Sequence, residues 1–139
     1  MTPTSRSLAF LRRQGFTVDV VERWIPGKAI RCDFLGFADL LAFHPAEKRF
    51  LLIQTTSTGV SERRRKILER RTAEAKAWLR AGGEIELHGW RRILDATGTR
   101  RWSVRVDTIT LEDTDLVCDR APRPPVHRRP RDPQLAFEL

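Results

Sequence analysis

Residues 34–57, FLGFADLLAFHPAEKRFLLIQTTS, contain two apolar segments of strand length joined by a polar turn. In the first segment, an extended chain places Phe37, Asp39 and Leu41 on one face. The second segment is apolar up to Gln54, and the HPAEK between the two segments is typical of a turn. These residues predict a β-hairpin in the middle of the chain.

Helix and strand patterns lie on both sides of this hairpin. Before it, apolar residues at helical spacing predict a short helix, and a run of β-branched residues predicts a strand. After it, one apolar stripe predicts a single long amphipathic helix with Ser61 as its N-cap and Gly82 and Gly83 as its stop. The elements are a helix in 5–15, a strand in 16–26, the hairpin, a helix in 60–81, and strands in 84–92 and 101–111. This order predicts an α/β fold, a mixed central β-sheet of four to five strands flanked by helices.

Length and composition are typical of a one-domain globular protein. The chain has 139 residues, 40% hydrophobic and 32% charged, and a formal net charge of +8. Two cysteines are too few for a disulfide framework or a zinc site, and no apolar run has the length of a membrane span or a signal peptide. We therefore expect a cytoplasmic protein without a membrane partner. Because all but four of the 26 basic residues are arginine, nucleic acid is the first partner to expect.

The positive charge is concentrated in two segments. Residues 120–139 hold five of the eight prolines and a net charge of +3, which predicts a flexible basic tail after a single domain of residues 1–119. Residues 60–81 carry eight basic and three acidic residues, and this net of +5 equals the whole excess of the predicted domain. Cations beside the free N–H groups of a helix start favour a bound phosphate. The alternative is a solvated face that Glu62, Glu69 and Glu74 partly neutralise.

The candidates for nucleic-acid contact lie on this helix and on the strand that follows it. Trp90 is a further candidate, because an exposed tryptophan next to arginines can stack on a base. The basic candidates are Arg63, Arg64, Arg65, Lys66 and Arg70 on the helix, and Arg91 and Arg92 on the strand. The histidines His44, His88 and His127 have no paired partner in the sequence, so we expect them to be bystanders.

Asp39 and Gln54 are polar residues inside apolar segments. An ionised carboxylate at position 39 would be buried at considerable cost unless it were paired or bound a metal. Gln54, followed by Thr55 and Thr56, makes the neighbouring strand polar at a comparable depth, which predicts a shared site. The alternative is that Asp39 and Gln54 satisfy each other by hydrogen bonds in a structural network.

The run of Asp39, LLAF, a turn and LLIQTT, followed by a basic helix, resembles the PD-(D/E)xK nuclease superfamily, which has the restriction-endonuclease-like and Holliday-junction-resolvase-like fold. The resemblance covers residues 5–107. Within the superfamily, the chain is most similar to small phage or bacterial proteins. The shared segments are GFxDLL (36–41), IQxTS (53–57), the basic 63–66, WLxxGG (78–83) and IELHGW (85–90).

In that superfamily an Asp on one strand, and an acid and a Lys on the next, hold divalent metal and activate water. Asp39 matches the first position, whereas Gln54 stands in place of the acid and Thr56 in place of the lysine. The resemblance implies Mg²⁺ or Mn²⁺ as cofactor and DNA as the nucleic acid. Gln54 can still offer a neutral oxygen to the metal, and the Thr56 hydroxyl can orient water.

Other residues of the chain are candidates to supply the charges of the acid and the lysine that are absent at positions 54 and 56. By reach along the following helix, Lys66 or Arg63 can bring positive charge to the reacting phosphate. Glu22 and Asp33 are candidates for additional metal-binding carboxylates. The alternative for both acids is an exposed surface or loop position, where most Asp and Glu side chains lie.

These residues lead to one expected function and two alternatives. We expect a metal-dependent nuclease that hydrolyses phosphodiester bonds in DNA, with Asp39, Gln54, Thr56 and Lys66 as its catalytic residues. The first alternative is a non-catalytic nucleic-acid-binding protein on a decayed nuclease fold. The second is an adaptor whose C-terminal segment, residues 134–139, docks on a protein partner. Dimerisation stays open, although cleavage of both strands would favour a homodimer.

Overall fold

The computed structural model describes residues 1–120, which form a mixed six-stranded sheet, a separate two-stranded sheet and three helices. The elements are α1 (Pro3–Arg13), β1 (Thr17–Val20), β2 (Arg23–Ile25), β3 (Ile30–Cys32), β4 (Leu40–His44), β5 (Arg49–Thr56), α2 (Val60–Arg65), a π-helical turn (Lys66–Arg70), α3 (Thr72–Arg80), β6 (Glu84–Leu94), β7 (Arg100–Glu112) and β8 (Asp115–Arg120). No helix in this part of the chain has the length and apolar character that a membrane crossing requires. Residues 121–139, and with them the predicted tail and its 134–139 segment, lie outside the described residues.

The large sheet has the strand order β1-β4-β5-β6-β7-β8. Only the β5–β6 pair is parallel, and α2, the π-helical turn and α3 connect these two strands. The predicted α/β fold with a mixed sheet is therefore confirmed, and so is the β4–β5 hairpin, in which His44 pairs with Arg49. The sheet has six strands rather than four to five, because a further strand, β8, pairs with β7.

The predicted strand in 16–26 is two strands in two different sheets. β1 pairs with β4, and the chain then leaves the large sheet at Val21 and Glu22 to form the β2–β3 hairpin. The predicted strand start at FLGFAD is also wrong, because Leu35 and Gly36 adopt positive φ angles of 54° and 79° in a tight turn. β4 begins only at Leu40, so Asp39 stands immediately before the strand.

The predicted long helix is interrupted. The π-helical turn ends at Arg70, the next residue, Arg71, has a non-helical φ of −124°, and α3 starts at Thr72. Ile67 and Ala75, which lie on the two sides of the interruption, belong to the same core cluster. The N-cap is Gly59 and not Ser61, whereas the predicted stop is confirmed because α3 ends at Arg80, two residues before Gly82.

Two apolar clusters cover the two faces of the large sheet, and β5 contributes to both. Leu51 and Ile53 pack toward α1, while Leu52 between them packs toward the π-helical turn and α3. Every residue of β5 from Leu51 to Thr56 is buried, as expected for a central strand covered on both faces. The polar end of this strand is thus enclosed by the fold rather than exposed at an edge.

A buried chain of hydrogen bonds ties α1 to the sheet. The Trp90 indole N–H donates to Ser7 Oγ (2.8 Å), Ser7 Oγ lies 2.8 Å from His88 Nδ1, and His88 Nε2 lies 2.9 Å from Glu86 Oε1. All donors and acceptors match if Ser7 donates to His88 Nδ1 and His88 donates from Nε2 to Glu86. His88 therefore has hydrogen-bond partners that the sequence did not reveal, Glu86 two residues before it on the same strand and Ser7 on the distant helix α1.

We expect Ser7→Ala to lower the free energy of unfolding by about 1–3 kcal/mol, because it leaves the Trp90 N–H and His88 Nδ1 buried without partners. Urea unfolding at pH 7.5 measures the change. The control is Ser5→Ala on the exposed side of the same helix, for which we expect a change within about 0.5 kcal/mol. Equal losses in the two variants would contradict the structural role of this chain of hydrogen bonds.

Candidate functional site

Three carboxylates converge at one end of the sheet. One oxygen from each of Glu22, Asp33 and Asp39 lies within 4.8 Å of the other two. Glu22 directly precedes β2, Asp33 directly follows β3, and Asp39 directly precedes β4. The fold thus brings the two additional acids to Asp39, and neither of them is fully exposed. We call these three residues the acidic cluster.

The β2–β3 hairpin sets the position of two members of the acidic cluster. Its register pairs Arg23 with Cys32, so the residues just outside this pair, Glu22 and Asp33, are held opposite each other. Pro26 and Gly27, between the two strands, are typical of a hairpin turn. This signal is present in the sequence, but the adjoining β-branched residues favoured one continuous strand.

Asp39 is buried against the polar end of β5. Its Oδ2 accepts hydrogen bonds from Gln54 Nε2 (2.8 Å), from the Thr55 backbone N–H (2.8 Å) and from Thr55 Oγ1 (3.2 Å). Asp39 and Gln54 are therefore in direct contact, through the hydrogen bond that the alternative hypothesis of a structural network predicts. Sequence reasoning missed the two donors of Thr55, because alternation alone does not show which β5 side chain turns toward Asp39.

Burial raises the pKa of Asp39 from 3.8 to about 7. The Thr55 backbone hydrogen bond opposes this increase, whereas the neighbouring Glu22 and Asp33 carboxylates reinforce it. Two cations offset part of the negative charge. Lys66 Nζ is 3.0 Å from Asp33 Oδ2, and Arg31 Nη1 is 3.7 Å from Glu22 Oε2. With all side chains ionised, these five residues carry a net charge of −1.

Gln54 contacts this site through the hydrogen bond from its Nε2 to Asp39. The residue is 1% exposed, and its Oε1 has no hydrogen-bond partner among residues 1–120. A buried amide oxygen without a donor costs about 1–3 kcal/mol, and it is also a kind of ligand that Mg²⁺ accepts. Two oxygens that each lie ~2.1 Å from one Mg²⁺ are at most about 4.2 Å apart, so small side-chain rotations suffice to bring the acidic cluster around one ion. The residues present therefore fit a divalent cation.

The acidic cluster and Gln54 line a cleft of about 460 Å³. Its other walls are the first turn of α1, the loop after β5, and the side chains of Arg31 and Arg63. Thr4 Oγ1 lies 3.0 Å from Thr55 Oγ1, so this hydrogen bond holds the start of α1 against the site. The positive end of the α1 macrodipole is thus near the cleft, where it favours an anion.

Thr56 lines the same cleft, but its hydroxyl forms hydrogen bonds within the loop after β5. Thr56 Oγ1 donates to the Thr58 carbonyl oxygen and accepts from the Thr58 backbone N–H at 3.2 Å. The hydroxyl is therefore engaged within its own turn instead of pointing to a substrate or a water. Of the residues expected to replace the missing lysine, Lys66 contacts the acidic cluster and Arg63 stands on the cleft wall.

The remaining basic candidates are in three different environments. Arg64 has only 15% of its side chain exposed and is ion-paired with Asp107, so it is not a free surface cation. Arg65 and Arg70 are exposed and both contact Glu62. Arg91 and Arg92 are exposed on β6.

Trp90 was expected to be exposed, but the exposed tryptophans are Trp24 and Trp102. Trp90 is 6% exposed and donates its N–H to Ser7, so stacking on a base at the surface is excluded for it. Trp102 and Trp24 are 38% and 60% exposed, and each has an arginine over its ring. Strand register decides which tryptophan faces solvent, and the apolar pattern around Trp90 did not contain this information.

Comparisons of the chain with family models, curated proteins and solved structures returned no match.

Replacing Asp39 with asparagine should make the metal-free protein more stable at pH 8. Because the pKa of Asp39 is raised in the fold, the folded state keeps a proton that the unfolded state loses between about pH 4 and pH 7. Stability therefore falls as the pH rises through this window, and ionised Asp39 costs up to about 4 kcal/mol above it. The asparagine side chain retains an acceptor oxygen without the charge.

Urea unfolding in chelator at pH 4.5 and pH 8 measures this difference between wild type and Asp39→Asn. We expect little difference at pH 4.5 and a gain of about 2–4 kcal/mol at pH 8. The control is Glu69→Gln, because Glu69 is an exposed acid without an ion pair in the described residues. A loss of stability in Asp39→Asn at pH 8 would contradict the unfavourable burial of this charge.

Proposed function

We propose that the protein is a divalent-metal-dependent nuclease that hydrolyses phosphodiester bonds in DNA, on a restriction-endonuclease-like fold. The observation that carries the proposal is the acidic cluster with the unpartnered Gln54 oxygen, in a cleft that also presents Arg63 and the start of α1. Further support comes from the resemblance to the PD-(D/E)xK superfamily and from the mixed sheet, in which Gln54 stands on β5 and Asp39 directly precedes the neighbouring strand β4.

Glu22, Asp33, Asp39 and Gln54 would hold the cation, which is Mg²⁺ or Mn²⁺. The bound ion would polarise the phosphodiester and lower the pKa of the attacking water. Three carboxylates suit a hard cation better than the Q-x-T sequence alone suggests, because Glu22 and Asp33 replace the acid that is missing at position 54. The departure from the superfamily pattern is thus compensated from the β2–β3 hairpin.

The cationic side chains of the cleft would bind the phosphate. Lys66 comes from the π-helical turn and is already at the acidic cluster, where its charge can stabilise the negative charge that develops on the phosphate oxygens. Arg63 and the N-terminal end of α1 contribute positive potential on the other wall. Lys66 would therefore do the work of the lysine whose position Thr56 occupies.

One specific observation favours a second candidate function, a non-catalytic nucleic-acid-binding protein. The charges of the acidic cluster are partly satisfied within the chain, by the Gln54–Asp39 hydrogen bond and by ion pairs with Lys66 and Arg31. Such contacts can form a structural network that requires no metal. Cleavage and binding therefore have to be measured separately.

The wild-type protein is expected to cleave at least one of plasmid, branched or single-stranded DNA in Mg²⁺ or Mn²⁺, and not in chelator. Asp39→Asn should lower the rate at least about a hundredfold, because it removes an ionised ligand. Glu69→Gln should cleave at the wild-type rate, and circular dichroism should show that both variants are folded. DNA binding without cleavage in any metal, with an affinity that falls steeply with salt, would support the binding protein instead.

Lys66→Met should reduce the rate constant of cleavage by about 10²–10³-fold while changing DNA affinity much less, because its charge acts mainly on the transition state. Lys66→Arg keeps the charge and should restore part of the rate. Single-turnover kinetics at saturating DNA separate the two quantities. If Lys66→Met weakened binding alone, Lys66 would be a DNA contact and not a catalytic residue.

A further inference from the structure

A second, smaller pocket lies beside the acidic cleft. It has a volume of about 250 Å³ and shares Ser57 and Thr58 with the cleft, so the loop after β5 separates the two. Its lining includes one arginine from each of three elements, namely Arg64 of α2, Arg91 of β6 and Arg105 of β7. No carboxylate lines it within the described residues. We call it the arginine pocket.

Close packing of α2 on β6 brings these arginines together. Gly89 of β6 faces Val60 of α2, and a Cβ atom at Gly89 would come within 2.9 Å of Val60 Cγ2. The absence of a side chain at this position therefore allows α2 to approach the sheet. As a result, Arg64 reaches across β6 to Asp107 on the adjacent strand β7.

Asp107 orients two of the three guanidinium groups. The residue is fully buried, and its Oδ2 accepts from Arg64 Nη2 at 2.9 Å while its Oδ1 accepts from Arg105 Nε at 3.1 Å. One carboxylate thus faces two arginines. Arg91 is exposed and has no carboxylate partner within residues 1–120. These four side chains carry a net charge of +2.

Arg64 is largely enclosed by the fold. Arg64 Nε is buried and finds no acceptor within the described part of the chain. Because this atom has almost no accessible surface, an external phosphate would contact the exposed part of Arg64, which is 15% of its side chain, together with the exposed Arg91. Guanidinium groups match the oxygens of a phosphate particularly well, because their planar fork can donate two parallel hydrogen bonds.

We infer that the arginine pocket binds a phosphate group of the nucleic acid next to the one in the acidic cleft. The biological role of this site rests on the proposed function, but phosphate binding itself does not require metal or cleavage. The phosphate is either an internal phosphodiester or a terminal phosphate monoester. A monoester carries about −1.5 to −2 charges at neutral pH, which is close to the opposite of the pocket's charge.

The test is binding of one single-stranded oligonucleotide in three forms, with a 5′-phosphate, with a 3′-phosphate and with two hydroxyl ends, in chelator and at constant salt. Inorganic phosphate is titrated as a competitor. The variants are Arg91→Ala and, as a control that loses the same charge, Arg100→Ala at the exposed start of β7. Fluorescence anisotropy of the full-length protein gives the affinities.

We expect Arg91→Ala to weaken binding about tenfold more than Arg100→Ala and to abolish competition by inorganic phosphate. A terminal monoester is the ligand if one phosphorylated form binds at least about tenfold more tightly than the hydroxyl form, and only when Arg91 is present. An internal phosphodiester is the ligand if all three forms bind equally and Arg91→Ala weakens them all.

Equal affinities of Arg91→Ala and Arg100→Ala for every form would overturn the inference. The nuclease proposal is tested independently by metal-dependent cleavage of the same oligonucleotides. If the protein cleaves DNA but Arg91→Ala binds the oligonucleotides as tightly as Arg100→Ala does, the proposed function is supported and the arginine pocket is not a phosphate site. If phosphate binding depends on Arg91 but the protein does not cleave DNA, the arginine pocket is supported as a phosphate site and the nuclease proposal is not.

Discussion

The backbone of Asp39 is the junction on which the site depends. Its N–H donates to the Ile53 carbonyl oxygen at 2.8 Å, which continues the β4–β5 pairing by one residue beyond the strand. Its own carbonyl oxygen accepts from the Val21 N–H at 2.9 Å, at the point where the chain leaves the large sheet. The first bond places a carboxylate against Gln54 and Thr55, and the second brings the β2–β3 hairpin and its two acids to the same place. Together the two bonds bring Asp39 next to the two acids that the hairpin already pairs.

The residues at the centre of the candidate site could be identified from the sequence, whereas the features around it could be identified less clearly. Asp39 and Gln54 were recognisable because each interrupts an apolar run, and such an interruption in a buried strand needs a physical reason. The break at Arg71 was not recognisable, since the residues on both sides of it keep their apolar periodicity and enter one core cluster. Likewise, Arg64 looks like its basic neighbours in the sequence, and only the packing of α2 on Gly89 turns it toward Asp107. Tertiary contacts of this kind leave no local pattern.

Charges of opposite sign lie on the two sides of the loop after β5. On one side the acidic cluster with its two cations has a net charge of −1, and on the other the arginine pocket with Asp107 has a net charge of +2. Neither half is neutral when the chain is alone, and both include a buried polar atom without a partner in residues 1–120, Gln54 Oε1 and Arg64 Nε. A fold optimised only for stability would satisfy or omit such groups. Two such groups on the two sides of one loop indicate that the folded chain is less stable here than it could be, as is common where a protein binds a ligand.

The β2–β3 hairpin carries its two acids at its base and its turn at the far end, and these two parts have different freedom to change. The Arg23–Cys32 pair keeps Glu22 and Asp33 opposite each other whatever lies beyond it. Residues 26–29 can therefore gain or lose length in evolution without moving either carboxylate, as is common for exposed hairpin tips. An isolated two-stranded ribbon is only marginally stable in water, so a cation held at its base would also fasten the ribbon to the large sheet. Changes in the length or sequence of the hairpin tip would therefore leave the base of the hairpin, and with it Glu22 and Asp33, in place.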